Sequence, residues 1–329
     1  MRDKKDPRSN TLPKVLLRLG LCAVIVYGCT MVLVAILNFP SAVDEPFARN
    51  RSGPQGELPR AKAFYENSYT PEASKVYVET ARLAAEAVDI EGRIKAFVNQ
   101  FGLADKRVLD VGAGSGLLQD IVTDYTALDI ASSARRFFHK PFVQASATDM
   151  PFQDNEFDAL WTIWVLEHVP KPEWALLEMR RVVRNEGLIF LAPAWNCLSW
   201  AAEGYEVRPY SDFDFAGKVA KASVVVRRLP PLRLLSLYPV RFLRLSMWLL
   251  AQRPTALRYD RLNPTFERYW VPDSDAVNSI DSYEAYLWFV SRGDMCLNCG
   301  TAGAELLESE RWPLIIRIRK GSSSMHARP

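Results

Sequence analysis

The stretch VLDVGAGSG, residues 108–116, decides the fold. A short apolar run reaches an acid, Asp110, and then meets glycines at 112, 114 and 116. Apolar residues that end in a glycine turn read as a buried strand whose C-terminal end offers bare backbone to a ligand. The dinucleotide fingerprint has the spacing G-x-G-x-x-G. Here the spacing is G-x-G-x-G, so the loop alone leaves the ligand open.

Outward from this loop, strands and helices alternate. RVLDV (107–111), YTALDI (125–130), FVQAS (142–146), FDALWTIW (157–164) and GLIFLAP (187–193) read as buried strands. A helix is expected over 71–102, stopped by Gly102, and others over GLLQDIV (116–122), PEWALLEMRRVV (172–183) and 282–299, the last ending at Gly300. ELLESER and PLIIRIR (305–319) are expected to close the chain as an antiparallel pair. Such alternation predicts an α/β fold, a doubly wound and mostly parallel sheet with helices on both faces.

In this fold, ligands sit beyond the C-terminal ends of the strands. Asp110 and Asp129 end the first two strands, Asp149 follows the third, and Trp164 and His168 follow the fourth. Singly, Asp129 reads equally well as a helix N-cap and Asp149 as a turn residue before Pro151. At matching strand ends, however, the three acids suit a cationic nucleoside without phosphates. A dinucleotide would instead call for donors around its pyrophosphate.

In five blocks the chain resembles the class I S-adenosylmethionine-dependent methyltransferases, especially their small-molecule and lipid-modifying branch. The blocks are VLDVGAGSG (108–116), ALDIA (127–131), ATDMPF (147–152), FDALWTIWVLEHV (157–169) and EMRRVVRNEGLIFLAP (178–193), and together they cover residues 105–195. The resemblance implies a seven-stranded Rossmann-like sheet and S-adenosylmethionine as cofactor, with no metal. By position, Gly112, Ala113, Gly114 and Gly116 would pack on the methionine part and Asp110 would hold its amino group. Asp129 would bind the ribose and Ile130 would line the adenine. Asp149 would accept from the adenine amine, Met150 would flank the ring, and Trp164, bulky for its place, would also touch the cofactor. His168 is the candidate catalytic base, with pocket shaping as its other reading. Tyr205, Tyr210, Asp212 and Asp214 are further candidates for the acceptor side.

The 329 residues are 49% hydrophobic and 24% charged, a composition that excludes a disordered chain. Five cysteines make an odd, sparse set, so no disulfide framework is expected. The single CxxC, Cys296 and Cys299, reads as the packed end of a helix, with zinc or thiol chemistry the weaker alternatives. Residues 19–37 carry no charge and, at 1.5 Å rise, span roughly 28 Å, enough for a bilayer. Residues 1–40 are therefore read as a basic tail (Arg2, Lys4, Lys5, Arg8, Lys14, Arg18) and an uncleaved single-span anchor, a cleaved signal peptide being the competing reading. Residues 41–70 read as a polar linker, and 71–329 as a methyltransferase domain with a cap inserted at 195–277.

Between Lys218 and Arg261 the cap carries ten lysines or arginines against one acid, Asp260. Leucines and aromatics interleaved with arginines suit a membrane surface, a choice favoured over nucleic acid by the nearby span. Two rules then conflict over orientation. The basic tail favours a cytoplasmic N-terminus, which would put the domain on the far side. The cofactor belongs to the cytosol, and the catalytic domain is expected there. The expected function is methyl transfer to a small, lipid-like or lipid-linked acceptor at a membrane. Its alternatives are a membrane-tethered scaffold that binds cofactor without turnover, a methyltransferase of envelope glycans, and, against the glycine spacing, a nicotinamide-dependent oxidoreductase. Oligomeric state is left open.

Overall fold

A computed structural model describes residues 12–44, 57–266, 274–308 and 310–321. The basic positions 2, 4, 5 and 8 of the tail, and residues 45–56 of the expected linker, lie outside them.

The first helix, α1 (Leu12–Leu37), precedes α2 (Glu57–Ser68), α3 (Ser74–Ala87) and α4 (Ile90–Phe101). Two differences from the sequence reading appear here. Residues 57–68, placed in the linker for their polarity, form a helix. The single helix expected over 71–102 is two, broken where Asp89 adopts a left-handed backbone (φ 52°) and caps α4 by accepting from the Gly92 N–H. Gly102, also left-handed, ends α4 as expected.

Strands β1 (Val108–Val111), β2 (Tyr125–Asp129), β3 (Phe142–Gln144) and β4 (Phe157–Ile163) follow, then α5 (Pro172–Val182) and β5 (Val183–Ala192). The cap holds α6 (Ser199–Ala202), α7 (Phe215–Arg227) and α8 (Pro230–Ala251), with a small ribbon of β6 (Asp260–Arg261) and β7 (Asn278–Ser279). The chain closes with α9 (Ser282–Val290), β8 (Met295–Cys296), α10 (Ala302–Glu305) and β9 (Leu314–Arg317). Seven strands form one sheet in the order β3-β2-β1-β4-β5-β9-β8, parallel from β3 to β5. The strand order reverses between β1 and β4, which opens a crevice at their C-terminal ends.

Alternate side chains of each strand enter opposite cores. Leu109, Val111, Leu160, Ile189 and Leu191 pack with α5 and α9, whereas Val108, Tyr125, Trp161 and Phe190 pack with α4 and its neighbours. Burial on both faces explains why these strands read as continuous apolar runs.

Three local expectations are corrected. GLLQDIV is a series of turns, because Gly116 continues in a left-handed conformation (φ 75°). The partner of β9 on its outer side is β8, not ELLESER, whose first residue ends α10. There Thr301 caps the helix, and Glu305 is drawn to Arg311 and the Gly300 N–H. Cys296 lies in β8 rather than at a helix end, because Gly293 (φ 86°) turns the chain after α9, and it is joined to Cys299 by a disulfide.

The cap is fastened by arginines that the sequence reading had assigned to a membrane surface. Arg241 donates to both oxygens of Asp281 at 2.7 and 2.6 Å, and Arg244 to both oxygens of Glu284 at 2.6 and 2.9 Å. One turn of α8 thus meets one turn at the start of α9, with both arginines buried. The opposite side of α8 exposes Phe242, Leu249 and Leu250. Helix α1 packs against α8. Behind α1, Ala42 bridges to Tyr259, and Asp44 accepts from the Tyr259 hydroxyl and the Glu173 N–H.

Removing one member of a buried pair strands the other charge, at a cost of about 3–5 kcal/mol. Glu284→Gln is therefore expected to lower thermal stability far more than Glu284→Gln combined with Arg244→Met. Equal melting temperatures for the two variants in detergent would remove the pair from the account.

Candidate functional site

The crevice beyond β1, β2 and β4 is a cleft of about 690 Å³, solvent at its mouth included. Its floor is the glycine loop. Gly112 has φ 74°, and a Cβ there would stand 2.2 Å from Val165, so only glycine lets the strand β4 exit cross this close. Gly112 and Ala113 both donate to the Leu128 carbonyl, which seats the loop on the end of β2. Asp129 completes the seat. One carboxylate oxygen accepts from the Gly114 N–H and the other from the Ala131 N–H, each at 2.9 Å. Each oxygen keeps a second lone pair, which a vicinal diol can use. Burial pushes this carboxyl up to about 6.

Among the described residues lining the cleft there is no lysine or arginine. The turns after Gly116 offer no helix N-terminus either. Both features disfavour a pyrophosphate and suit a cation. A cradle shaped by glycines, with a carboxylate at its edge, fits S-adenosylmethionine.

The structure brings Gly112, Asp129, Ile130, Trp164 and His168 to the cleft wall. Trp164 reaches it through a left-handed backbone (φ 53°), held by its N–H to the Ala192 carbonyl. The remaining expected residues stand elsewhere. Asp110 is buried beneath the loop and accepts from the Tyr125 hydroxyl at 2.8 Å, with its carboxyl pushed up to about 7 by burial. Ala113 packs in the α4-side core, and Gly116 closes on Phe138 and Gln119. Gly114 faces the Tyr69 hydroxyl, 3.0 Å from where its Cβ would stand. Asp149 is exposed and its N–H bonds the Ser146 carbonyl. Met150 points into the α5-side core while its N–H donates to Glu178.

Four acceptor-side candidates have local duties instead. Tyr205 stacks on Phe213, Asp214 caps α7 through the Gly217 N–H, Asp212 lies beside Arg208, and the Tyr210 ring sits under Lys221.

Sequence reasoning missed the opposite wall. Tyr65 and Tyr69, one helical turn apart, and Tyr77 of α3 line the cleft. Their i, i+4 spacing in FYENSY was the available signal, hidden by the linker assignment. Glu66 clamps this wall to the end of β2, accepting from the Ser132 and Ser133 N–H groups at 2.8 and 3.0 Å. Despite the desolvation that opposes them, these bonds lower its pKa.

Asp275 is the second omission. It accepts from the Tyr65 hydroxyl at 2.9 Å, and its carbonyl lies 3.2 Å from His168 Nδ1. Burial, helped by the Asp275 charge, holds the Tyr65 phenol well above its ordinary range. Glu167, buried beside His168, accepts from the Ala194 N–H at 3.0 Å and is pushed up to about 7 by burial. Its main-chain carbonyl takes the Val277 N–H, which pins the Asp275 segment against residues 166–168. No local pattern marks Asp275, which arrives from more than a hundred residues away in sequence.

Comparison with known proteins follows this geometry. Residues 109–191 match the methyltransferase domain family. A demethylmenaquinone methyltransferase of Renibacterium salmoninarum is 38% identical over 96 residues, covering 26% of this chain and 40% of that protein. A ubiquinone biosynthesis O-methyltransferase of Dechloromonas aromatica is 32% identical over 117 residues, 30% of this chain and 49% of that one. An uncharacterized protein of Methanocaldococcus jannaschii is 30% identical over 141 residues, 41% and 60% of the two chains. The chain thus spans about half the length of the curated relatives it matches. Among solved structures, the YcgJ protein of Bacillus subtilis is 26% identical, covering 28% of this chain and 45% of that one, with a TM-score of 0.27. The segment from the glycine loop through β5 thus matches a methyltransferase domain, in agreement with its resemblance to the class I, S-adenosylmethionine-dependent family.

Proposed function

We propose that the whole chain is a membrane-anchored methyltransferase whose acceptor is lipid-like or lipid-linked, of the isoprenoid-quinone-precursor or envelope-glycolipid class. The observation that carries the methyl-transfer reading is the Asp129 carboxylate, fixed by two backbone donors at the edge of a glycine cradle in a cleft without cationic lining. Bound there, S-adenosylmethionine supplies an electrophilic methyl group. Asp129 would hold the ribose, Gly112 and Gly114 would face the amino-acid part, and Ile130 and Trp164 would border the base. Asp149, which follows the cleft residues Ala145–Ala147 in the chain, would accept from the adenine amine. Asp110 supports the loop from beneath, and Ala113 and Gly116 seat it on the α4-side core.

The chain's remaining work is to align the acceptor, exclude water and hold a proton. With a hydrogen on His168 Nδ1 donated to the Asp275 carbonyl, Nε2, 3.7 Å from the Glu167 carboxylate, would be the atom that takes a proton from an acceptor O–H. Tyr65 packs edge-on against the His168 ring at 6.0 Å and fixes its tilt. Among the described residues, one helix is long and apolar enough to cross a membrane, Gly20–Leu37 of α1, with 6% of that window buried. The exposed apolar side of α8 continues this surface, and quinone methyltransferases among the relatives support an apolar acceptor. The catalytic domain is proposed to face the cytoplasm, where the cofactor is kept.

Asp129→Ala is expected to abolish S-adenosylmethionine binding in calorimetry, and wild-type affinity would remove this site assignment. The carboxyl titrates near 6, above the ordinary value of 3.8, so the acceptor form is complete only above that pH. Cofactor affinity should be flat at neutral pH and fall about tenfold per unit below pH 6. A flat profile down to about pH 4.5 would contradict the assignment. His168→Gln is expected to leave cofactor affinity intact while lowering turnover by about 10²–10⁴-fold. Unchanged transfer of labelled methyl into a membrane-lipid extract would reduce His168 to pocket shaping. Protease added outside sealed inverted vesicles should cleave the domain if it faces the cytoplasm, and protection would reverse the topology.

A further inference from the structure

A second cavity, sharing no lining residue with the cleft, opens where α1 leaves the apolar span and meets α8. It encloses about 1540 Å³, solvent at its mouth included. One side is apolar: Val34 of α1 faces Leu235, Leu237 and Val240 of α8. The other side is charged, and its charges do not cancel. Asp281 and Glu284 reach the wall already paired with Arg241 and Arg244. Asp260 accepts from the Ser41 N–H, with its carboxyl raised by burial, and still leaves this wall one cation in excess. Arg227 and Arg258 have no carboxylate within ion-pair distance among the described residues. Arg227 lies over the Trp200 ring at 4.6 Å, and Arg258 lies over Phe39 at 4.8 Å while donating to the Pro40 carbonyl. Two guanidiniums seated over aromatic rings keep remaining donors available to an anion.

We propose that this cavity binds one anionic phospholipid, its phosphate head on Arg227 and Arg258 and an acyl chain between α1 and α8. The occupant follows from position and charge together. The apolar side is continuous with the exposed face of α1, whose Val32, Leu33, Ile36 and Leu37 would lie among acyl chains. Arg258 lies over Phe39, just past the end of that span, and Arg227 lines the same cavity, where lipid headgroups would meet them. A free phosphate would satisfy the arginines and leave the Val34–Leu237 side wet. A neutral lipid would fill that side and leave the two cations without a counter-charge. The bound lipid would brace α1 against the cap, so the orientation of the cleft toward the bilayer would depend on membrane composition. The inference rests on the membrane part of the proposed function and is independent of methyl transfer.

Native mass spectrometry of the full chain in a neutral detergent tests it, with phosphatidylglycerol and phosphatidylcholine offered in equal amounts. One retained phosphatidylglycerol is expected, preferred about tenfold, as a charge-assisted contact of this size requires. Arg227→Gln with Arg258→Gln should remove the preference. Arg228→Gln, which alters the adjacent arginine paired with Glu206 outside the cavity, should keep it. Equal retention of both lipids, an unchanged preference in the double variant, or an equal loss in Arg228→Gln would overturn the proposal. So would displacement by equimolar inorganic phosphate, or a second copy of the chain in place of lipid. Carbonate extraction of membranes reports separately whether α1 is inserted, so failure of lipid binding and failure of anchoring are told apart.

Discussion

A buried carboxylate at the end of β2 organises the site. Asp129 accepts one N–H from the glycine loop and one from the turn that follows β2. It therefore ties together the two backbone segments that form the cleft floor. Burying a carboxyl disfavours its charge, and the raised pKa is the trace of that cost. The cost is tolerated because backbone donors satisfy part of the group and leave its remaining lone pairs facing the cleft. A ligand with paired hydroxyls would complete what the fold leaves open.

Around this floor, the two walls have different origins. One wall, from Trp164 to His168, grows directly out of β4 and is held by the close pass of Val165 over Gly112. The other is built by α2 and α3, which precede the sheet in sequence and return to it through Glu66 and the serines beyond β2. The Tyr65–Asp275–His168 arrangement joins N-terminal helix, cap and sheet in one polar contact. The upper part of the cleft is thus a product of three distant chain segments, whereas its floor is nearly local.

The cap shows how the same residues serve a different purpose from the one their composition suggests. An arginine-rich apolar helix beside a membrane span invites a reading of arginines against headgroups. In the folded chain, Arg241 and Arg244 turn inward onto α9, and α8 presents its apolar side instead. Two other basic groups of the cap, Arg227 and Arg258, line the cavity where α1 meets α8.

Periodicity and strand-end chemistry were legible without coordinates. Apolar runs closing on Asp110, Asp129 and the glycines specify a parallel sheet and the cleft at its strand ends, because strand burial and backbone approach are local requirements. The stop at Gly102 and the apolar span were legible for the same reason. Ion-pair partners, the break at Asp89, the turns after Gly116 and the pairing of β9 with β8 depend on what packs alongside, and no short window contains that information. Tyr65 and Tyr69 line the cleft, and Asp275 meets Tyr65 and His168 beside it, only because the tertiary fold carries them there. The sequence by itself determined the sheet, the glycine loop and the acid beside it. Only the tertiary structure decided which side chains close over that loop and which way the arginines of the cap point, since both are set by contacts between residues far apart in the chain.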